Sequence, residues 1–219
     1  MIIFFKNFRR TDRVLLSIQS VRHLFPTIEI YCLNLFLVDK NEYASYVNLF
    51  NEFNVKVFYD SKKYNFASSA VGSKDNGFYF TEGINKMYQL VSDKEKVLML
   101  DEDSFFTTGT TIKFLLENNF DLAYGTWPSP DKKCDVEING SIIAFNCKTT
   151  KPIFPIREAF EYIETILGIE AYNKCLSLGL KTLLIPTRQY LDYGNDGTHT
   201  NDIGIIIQEL IKANIPFKL

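Results

Sequence analysis

The sequence has no strong charge of either sign, no paired-cysteine motif and no long apolar run. Its 24 basic and 26 acidic side chains leave a formal net charge of −2. A basic nucleic-acid footprint is therefore absent, and no nucleic-acid partner is expected. Cys32, Cys134, Cys147 and Cys175 show no C-x-x-C spacing. Apolar neighbours flank Cys32 and Cys147, so reduced thiols are expected rather than disulfides. The opening MIIFFKNFRR offers four apolar residues between Met1 and Lys6. That is too short for a signal segment or a membrane span, and a cytoplasmic protein is expected. There is no internal repeat, no low-complexity tract and no interdomain linker.

What is present suits a globular chain. Its 219 residues, 46% of them hydrophobic, can bury a core without staples. Residues 2–8 (IIFFKNF) predict a buried strand, and Thr11 is placed to N-cap a helix over 12–25 that Pro26 ends. Strands are predicted at 28–36 and 54–59, with apolar residues at helical spacing over 41–53 between them. A polar loop at 61–77 leads to a helix over 78–92 and an acid-tipped strand over 96–101. The pattern continues with a helix at 109–119, a strand at 121–127, a polar loop at 128–138 and a strand at 141–146. A helix at 156–167, a second helix or its continuation at 170–178, a strand at 181–185, a loop at 187–201 and a helix at 202–213 complete it. Strand and helix alternate through the first half. That predicts an α/β fold, a mostly parallel sheet with helices on both faces. Ligands of such sheets lie beyond the carboxyl ends of the strands.

At one of those ends the chain reads KVLMLDEDSFF, residues 96–106. Three adjacent acids repel one another, so a counter-charge is expected. Residues two apart on a strand share a face, which would point Asp101 and Asp103 into one crevice and turn Glu102 away. Such a pair attracts a hard divalent cation. The other reading is an exposed acidic turn that caps the next helix. It accounts for one acid more readily than for two spaced by one.

The apolar run and Asp-x-Asp resemble the DXD motif of GT-A-fold glycosyltransferases, the nucleotide-diphospho-sugar transferases. Asn7-Phe8-Arg9-Arg10 through Phe25-Pro26 is similar to the family's opening strand, Arg-containing turn and helix. The helix before the acids, with Gly83, Asn85 and Lys86, is similar too. Asn139-Gly140 through Asn146 resembles the strand near the donor sugar. Cys175 and Gly179 through Pro186 resemble the late helix, glycine and strand that precede a histidine, here His199.

The resemblance implies one domain over 1–219, with a nucleotide-binding half (1–106) and an acceptor- and sugar-binding half (107–219). It implies Mn²⁺ or Mg²⁺ with Asp103 as direct ligand, Asp101 at the ribose or a metal-bound water, and His199 completing the shell. It implies a nucleotide-sugar donor, UDP before GDP or dTDP, and a carbohydrate acceptor. Arg9, Arg10, Asp60, Lys74, Asn139 and Gly140 are the further donor-side candidates. Plain alternatives are a solvated helix start for Arg9 and Arg10, a strand-ending turn acid for Asp60 and a solvated loop lysine for Lys74. The late helix lacks the family's Glu-Asp pair. Glu170 is the nearest acid there, and Asp135 and Glu137 are rivals for the catalytic base. Trp127 is either a sugar-stacking platform or a core residue. His23 is given no role.

Other classes share parts of the pattern. Haloacid-dehalogenase-like phosphatases use Asp-x-Asp, but Phe105 stands where they have Thr or Val, and nearly half the chain precedes the motif. A sugar-nucleotide pyrophosphorylase needs a Gly-rich loop after the first strand, and Asn7-Phe8-Arg9-Arg10 is not one. A non-catalytic nucleotide-sugar-binding module would keep the acids and lack the base.

Overall fold

The apolar opening forms β1 (Ile2–Asn7), and every residue of it is buried. A strand covered on both faces reads as a near-continuous hydrophobic run and belongs inside a parallel sheet. β1 lies there, parallel to β2 (Glu29–Asn34) on one side and to β4 (Lys96–Leu100) on the other. The computed structural model describes residues 1–7, 11–34, 40–59, 74–102, 104–126, 138–155, 163–185, 197–199 and 202–218. The remaining strands of the main sheet are β3 (Val55–Tyr59), β6 (Leu122–Thr126), β7 (Ile138–Asn146) and β8 (Thr182–Leu184). Their order is β3-β2-β1-β4-β7-β6-β8. β7 runs antiparallel to both its neighbours, so the sheet is mostly but not wholly parallel.

Strand alternation sorts the core into two layers. Ile2, Phe4, Val97 and Met99 pack with Ile84, Met87 and Tyr88 of α3 (Lys74–Val91) and with Ala171 and Cys175 of α5 (Ile163–Ser177). Ile3, Phe5, Leu98 and Leu100 face the other way. They meet α1 (Thr11–Leu24), Phe50 of α2 (Lys40–Glu52), and Ile112 and Leu115 of α4 (Thr110–Glu117). Each large side chain buried this way contributes roughly 1.5–3 kcal/mol. A third layer covers α1 from outside: Ile206 and Leu210 of α6 (Ile203–Lys212) pack on Leu16.

The structure departs from the sequence reading at α3 and in a small second sheet, and it settles one alternative. α3 starts at Lys74 rather than 78, because its first turn is polar (Lys74-Asp75-Asn76-Gly77) and resembles loop. Of the two readings open at 170–178, the continuation holds, and Gly168 does not break the late helix. α5 is continuous through it, held by Ala171 and Cys175 in the core, so packing overrides the glycine's low propensity. Two three-residue strands, β5 (Ser104–Phe106) and β9 (Gly197–His199), form a small antiparallel sheet that short segments do not signal. No helix among the described residues is long and apolar enough to cross a membrane.

Candidate active site

β1, β2, β3 and β4 all end at one edge of the sheet, and polar side chains begin there. Asn7 is the last residue of β1 and stands in register with Asn34, the last of β2. Asn7 Nδ2 donates to Asn34 Oδ1 at 2.7 Å and to Thr11 Oγ1, at the start of α1, at 3.2 Å. The pair holds two strand ends and a helix start together across the segment that contains Arg9 and Arg10. Buried polar groups are kept only when they are bonded to one another in this way. Cys32 lies on the same face as Asn34, and burial, then the charge of Glu102, raises its thiol pKa.

Beside this pair a full charge is buried. Lys6 is wholly inaccessible, and its ammonium is ion-paired with the carboxylate of Asp101. The register explains the meeting. Phe5 stands opposite Leu100, so the next step along the two parallel strands sets Lys6 beside Asp101. Both residues continue the face of Phe4 and Met99. Asp101 itself is 7% exposed.

The acids do not continue a straight strand. Ser104 N–H donates to Asp101 C=O at 3.2 Å, so β4 does not run straight on into β5. Strand alternation therefore does not decide which way the second acid faces, as the sequence reading assumed. Asp103 lies outside the described residues. α1 steadies the turn. Ser17 Oγ donates to Glu102 C=O at 3.5 Å, and Phe106 N–H donates to Ser20 Oγ at 3.4 Å. β5 then pairs with β9 so that Ser104 stands opposite His199. His199 is thus in a strand rather than the expected loop.

β7 enters the sheet at this same edge. Leu100 stands opposite Ile142, so the residues before Ile142 run past the end of β4. Between β6 and β7 the register jumps: Tyr124 pairs with Ile143, but Gly125 pairs with Asn139. The irregularity falls on Gly140–Ile142. Bulges of this kind commonly mark the rim of a binding site, because they re-aim the strand. Asn139 and Gly140 therefore lie at the edge where the acids lie.

The other candidates separate into two groups. Lys74 is the first residue of α3 instead of a loop residue. Glu170 lies two turns inside α5, not at a helix start, and pairs with Lys174 at 2.5 Å. Arg9, Arg10, Asp60, Trp127, Asp135 and Glu137 lie outside the described residues. Lys6 was missed, although the signal was present. A lysine inside the buried run IIFFKNF requires a partner carboxylate. Among the described residues no three His, Cys, Asp or Glu side chains cluster as a metal site. Carboxylate and imidazole, the donor types that Asp103 and His199 carry in the sequence, are ones that Mn²⁺ accepts.

No protein-family model and no curated protein matches the sequence; the likeness lies in the fold. The galactosyltransferase LgtC, solved with donor and acceptor sugar analogues, superposes with a TM-score of 0.60 at 12% identity, over 84% of this chain and 73% of that one. The bifunctional glycosyltransferase WbbM aligns with 98% of this chain and 44% of its own, at a TM-score of 0.55 and 13% identity. The inositol-1-phosphate CTP transferase from T. maritima aligns over 100% and 98% of the two chains, at a TM-score of 0.55 and 12% identity. The chain has the GT-A-like α/β fold of the nucleotide-diphospho-sugar transferases.

Proposed function

We propose that this protein is a metal-dependent glycosyltransferase. It moves one sugar from a nucleotide-diphosphate donor, with UDP the first choice, to an acceptor hydroxyl. The observation that carries this reading is the β5–β9 register. It pairs His199 with Ser104, which follows the Asp-x-Asp sequence, and this supports the reading on a GT-A-like sheet. A carboxylate and an imidazole suit Mn²⁺, and Asp103 and His199 would hold Mn²⁺ or Mg²⁺. A bound divalent ion supplies Lewis-acid stabilisation of the departing diphosphate. The mannosyltransferase PcManGT from Pyrobaculum calidifontis was solved with GDP-Man and Mn²⁺. It superposes at a TM-score of 0.52 and 9% identity, over 89% of this chain and 58% of its own.

The protein's own groups divide the remaining work. Asn139 and Gly140, at the bulged start of β7, line the donor-sugar side. Arg9, Arg10, Asp60 and Lys74 belong to segments that leave or enter the same edge and serve the nucleotide. In transfer, the acceptor oxygen bonds to the anomeric carbon, the bond from that carbon to the diphosphate oxygen breaks, and the hydroxyl proton leaves. Asp135 and Glu170 are the candidates to take that proton if the reaction inverts the anomeric centre.

The test is turnover of a UDP-sugar panel with Mn²⁺, read as released UDP. We expect release with one or two sugars and a loss of ~100-fold or more in Asp103→Ala. No release with any donor, including GDP and dTDP sugars, would reject the reading. The near-complete match to a CTP transferase favours one alternative, transfer of a nucleotidyl group. Pyrophosphate release from a nucleoside triphosphate would identify it.

A further inference from the structure

On the α1–α2 face of the sheet, one buried polar group at the carboxyl edge is unmatched. Asn34, the last residue of β2, is 2% exposed. Its carbonyl oxygen is fully used: Asn7 Nδ2 donates to Oδ1 at 2.7 Å and Cys32 Sγ at 3.8 Å. Burial keeps that thiol protonated, and so a donor. Turning the Asn34 amide over would set donor against donor, which fixes its orientation. Nδ2 is then the remaining arm of the amide, and among the described residues no acceptor meets it. An unmatched buried donor costs stability unless something arrives to accept from it.

A neutral amide that can only donate suits an uncharged acceptor such as a keto oxygen, whereas phosphate draws charged Arg or Lys. Tyr59 of β3 stands next in register to Asn34, half-buried on the same face. An amide beside an aromatic is the make-up of a site for a flat base. β2 lies two places from β4 in the sheet, about 10 Å at the usual strand spacing. That is the reach of a ribose and base from a diphosphate held at the end of β4. We infer that Asn34 determines base specificity: its amide nitrogen donates to a keto oxygen of the nucleotide's base, uracil in the first instance. This rests on the proposed function for the place of the diphosphate, but not for the unmatched donor. Adenine has no keto oxygen, so adenine nucleotides are disfavoured.

The test is calorimetric titration, with Mn²⁺ present, of UDP, ADP, 2-thio-UDP and the 4-deoxy analogue of UDP into wild type and Asn34→Ala. Each analogue replaces one keto oxygen of uracil. Wild type should bind UDP about tenfold tighter than ADP, and about tenfold tighter than one of the two analogues, the worth of one buried hydrogen bond. Asn34→Ala should bind UDP about tenfold more weakly than wild type and treat UDP and that analogue alike, within about twofold. A structural role for Asn34 would instead weaken UDP and the analogue equally and preserve the gap between them.

Wild type that binds UDP but ignores both keto replacements would overturn the inference, even if Asn34→Ala fails to fold. So would ADP bound as tightly as UDP, or a gap between UDP and its analogue that survives in folded Asn34→Ala. If wild type binds GDP in place of UDP, the diphosphate of 2-aminopurine riboside, which lacks the guanine keto oxygen, replaces the uracil analogues with the same outcomes. Failure of the transferase reading would show separately, as keto-selective binding with no sugar transferred. Wild type that binds no nucleotide diphosphate would reject both.

Discussion

At the residue scale, the edge of the sheet depends on buried polar side chains that have specific partners. Asn7 is the clearest case, because its amide serves Asn34 and Thr11 at once. Asn7→Ala should cost about 1–3 kcal/mol, since it leaves the Asn34 carbonyl and the Thr11 hydroxyl without their donor. Urea unfolding measures this. A cost under about 0.5 kcal/mol would mean that other groups compensate. The cysteines act differently. Cys32, Cys147 and Cys175 are buried free thiols, and desolvation pushes Cys147 up to about 12 and Cys175 to about 11. A thiol held in its neutral form is a poor nucleophile. These three should react with a disulfide reagent at neutral pH only as the protein unfolds. Mass mapping of labelled native protein tests this, and rapid labelling of any of the three would contradict the packing.

At the element scale, β5 and α4 are joined through a position that only glycine suits. Gly109 has φ of +72°, and a Cβ there would lie 2.6 Å from Phe25 Cε2. Gly109→Ala therefore combines left-handed strain with a clash against the ring at the end of α1. A loss of about 2–3 kcal/mol is expected, seen as a lower urea midpoint with an unchanged slope. This scale also shows what the sequence made legible. Long periodic segments such as α1 and α6, and the continuous run of β1, identify themselves, because burial alone decides them. β5 and β9 do not. Each is three residues long and pairs with the other, and β5 also bonds to α1, a distant pairing with no local pattern. The acid turn was legible as a place but not as a geometry. One backbone hydrogen bond, Ser104 N–H to Asp101 C=O, converts the expected strand face into a turn. Lys6 was legible in principle as an unmatched charge in an apolar run. Its partner was not, since that depended on β4 lying beside β1.

At the scale of the whole molecule, ionisation links stability to alkaline pH. Burial raises Tyr31, with help from a hydrogen bond to Glu29, and it raises Tyr88, each from 10.0 to about 12. Cys147 and Cys175 are raised from 9.0. Groups raised in the folded state hold protons that the unfolded chain releases first. Their contribution is complete below about pH 9 and is lost as pH climbs through the folded values. The melting temperature should thus be flat from about pH 7 to 8.5 and fall steadily from about pH 9 to 11. A melting temperature that stayed level to about pH 11 would contradict the burial of these groups.

The central claim is that the acid turn and its partners form a metal-dependent nucleotide-diphosphate site. The most direct measurement is calorimetric titration of UDP, GDP and dTDP, each with and without Mn²⁺, into wild type and Asp103→Ala. The account predicts that one nucleotide, UDP first, binds in a Mn²⁺-dependent way and that Asp103→Ala abolishes the dependence. Binding of no nucleotide under any condition would contradict it, as would binding that neither Mn²⁺ nor Asp103→Ala alters.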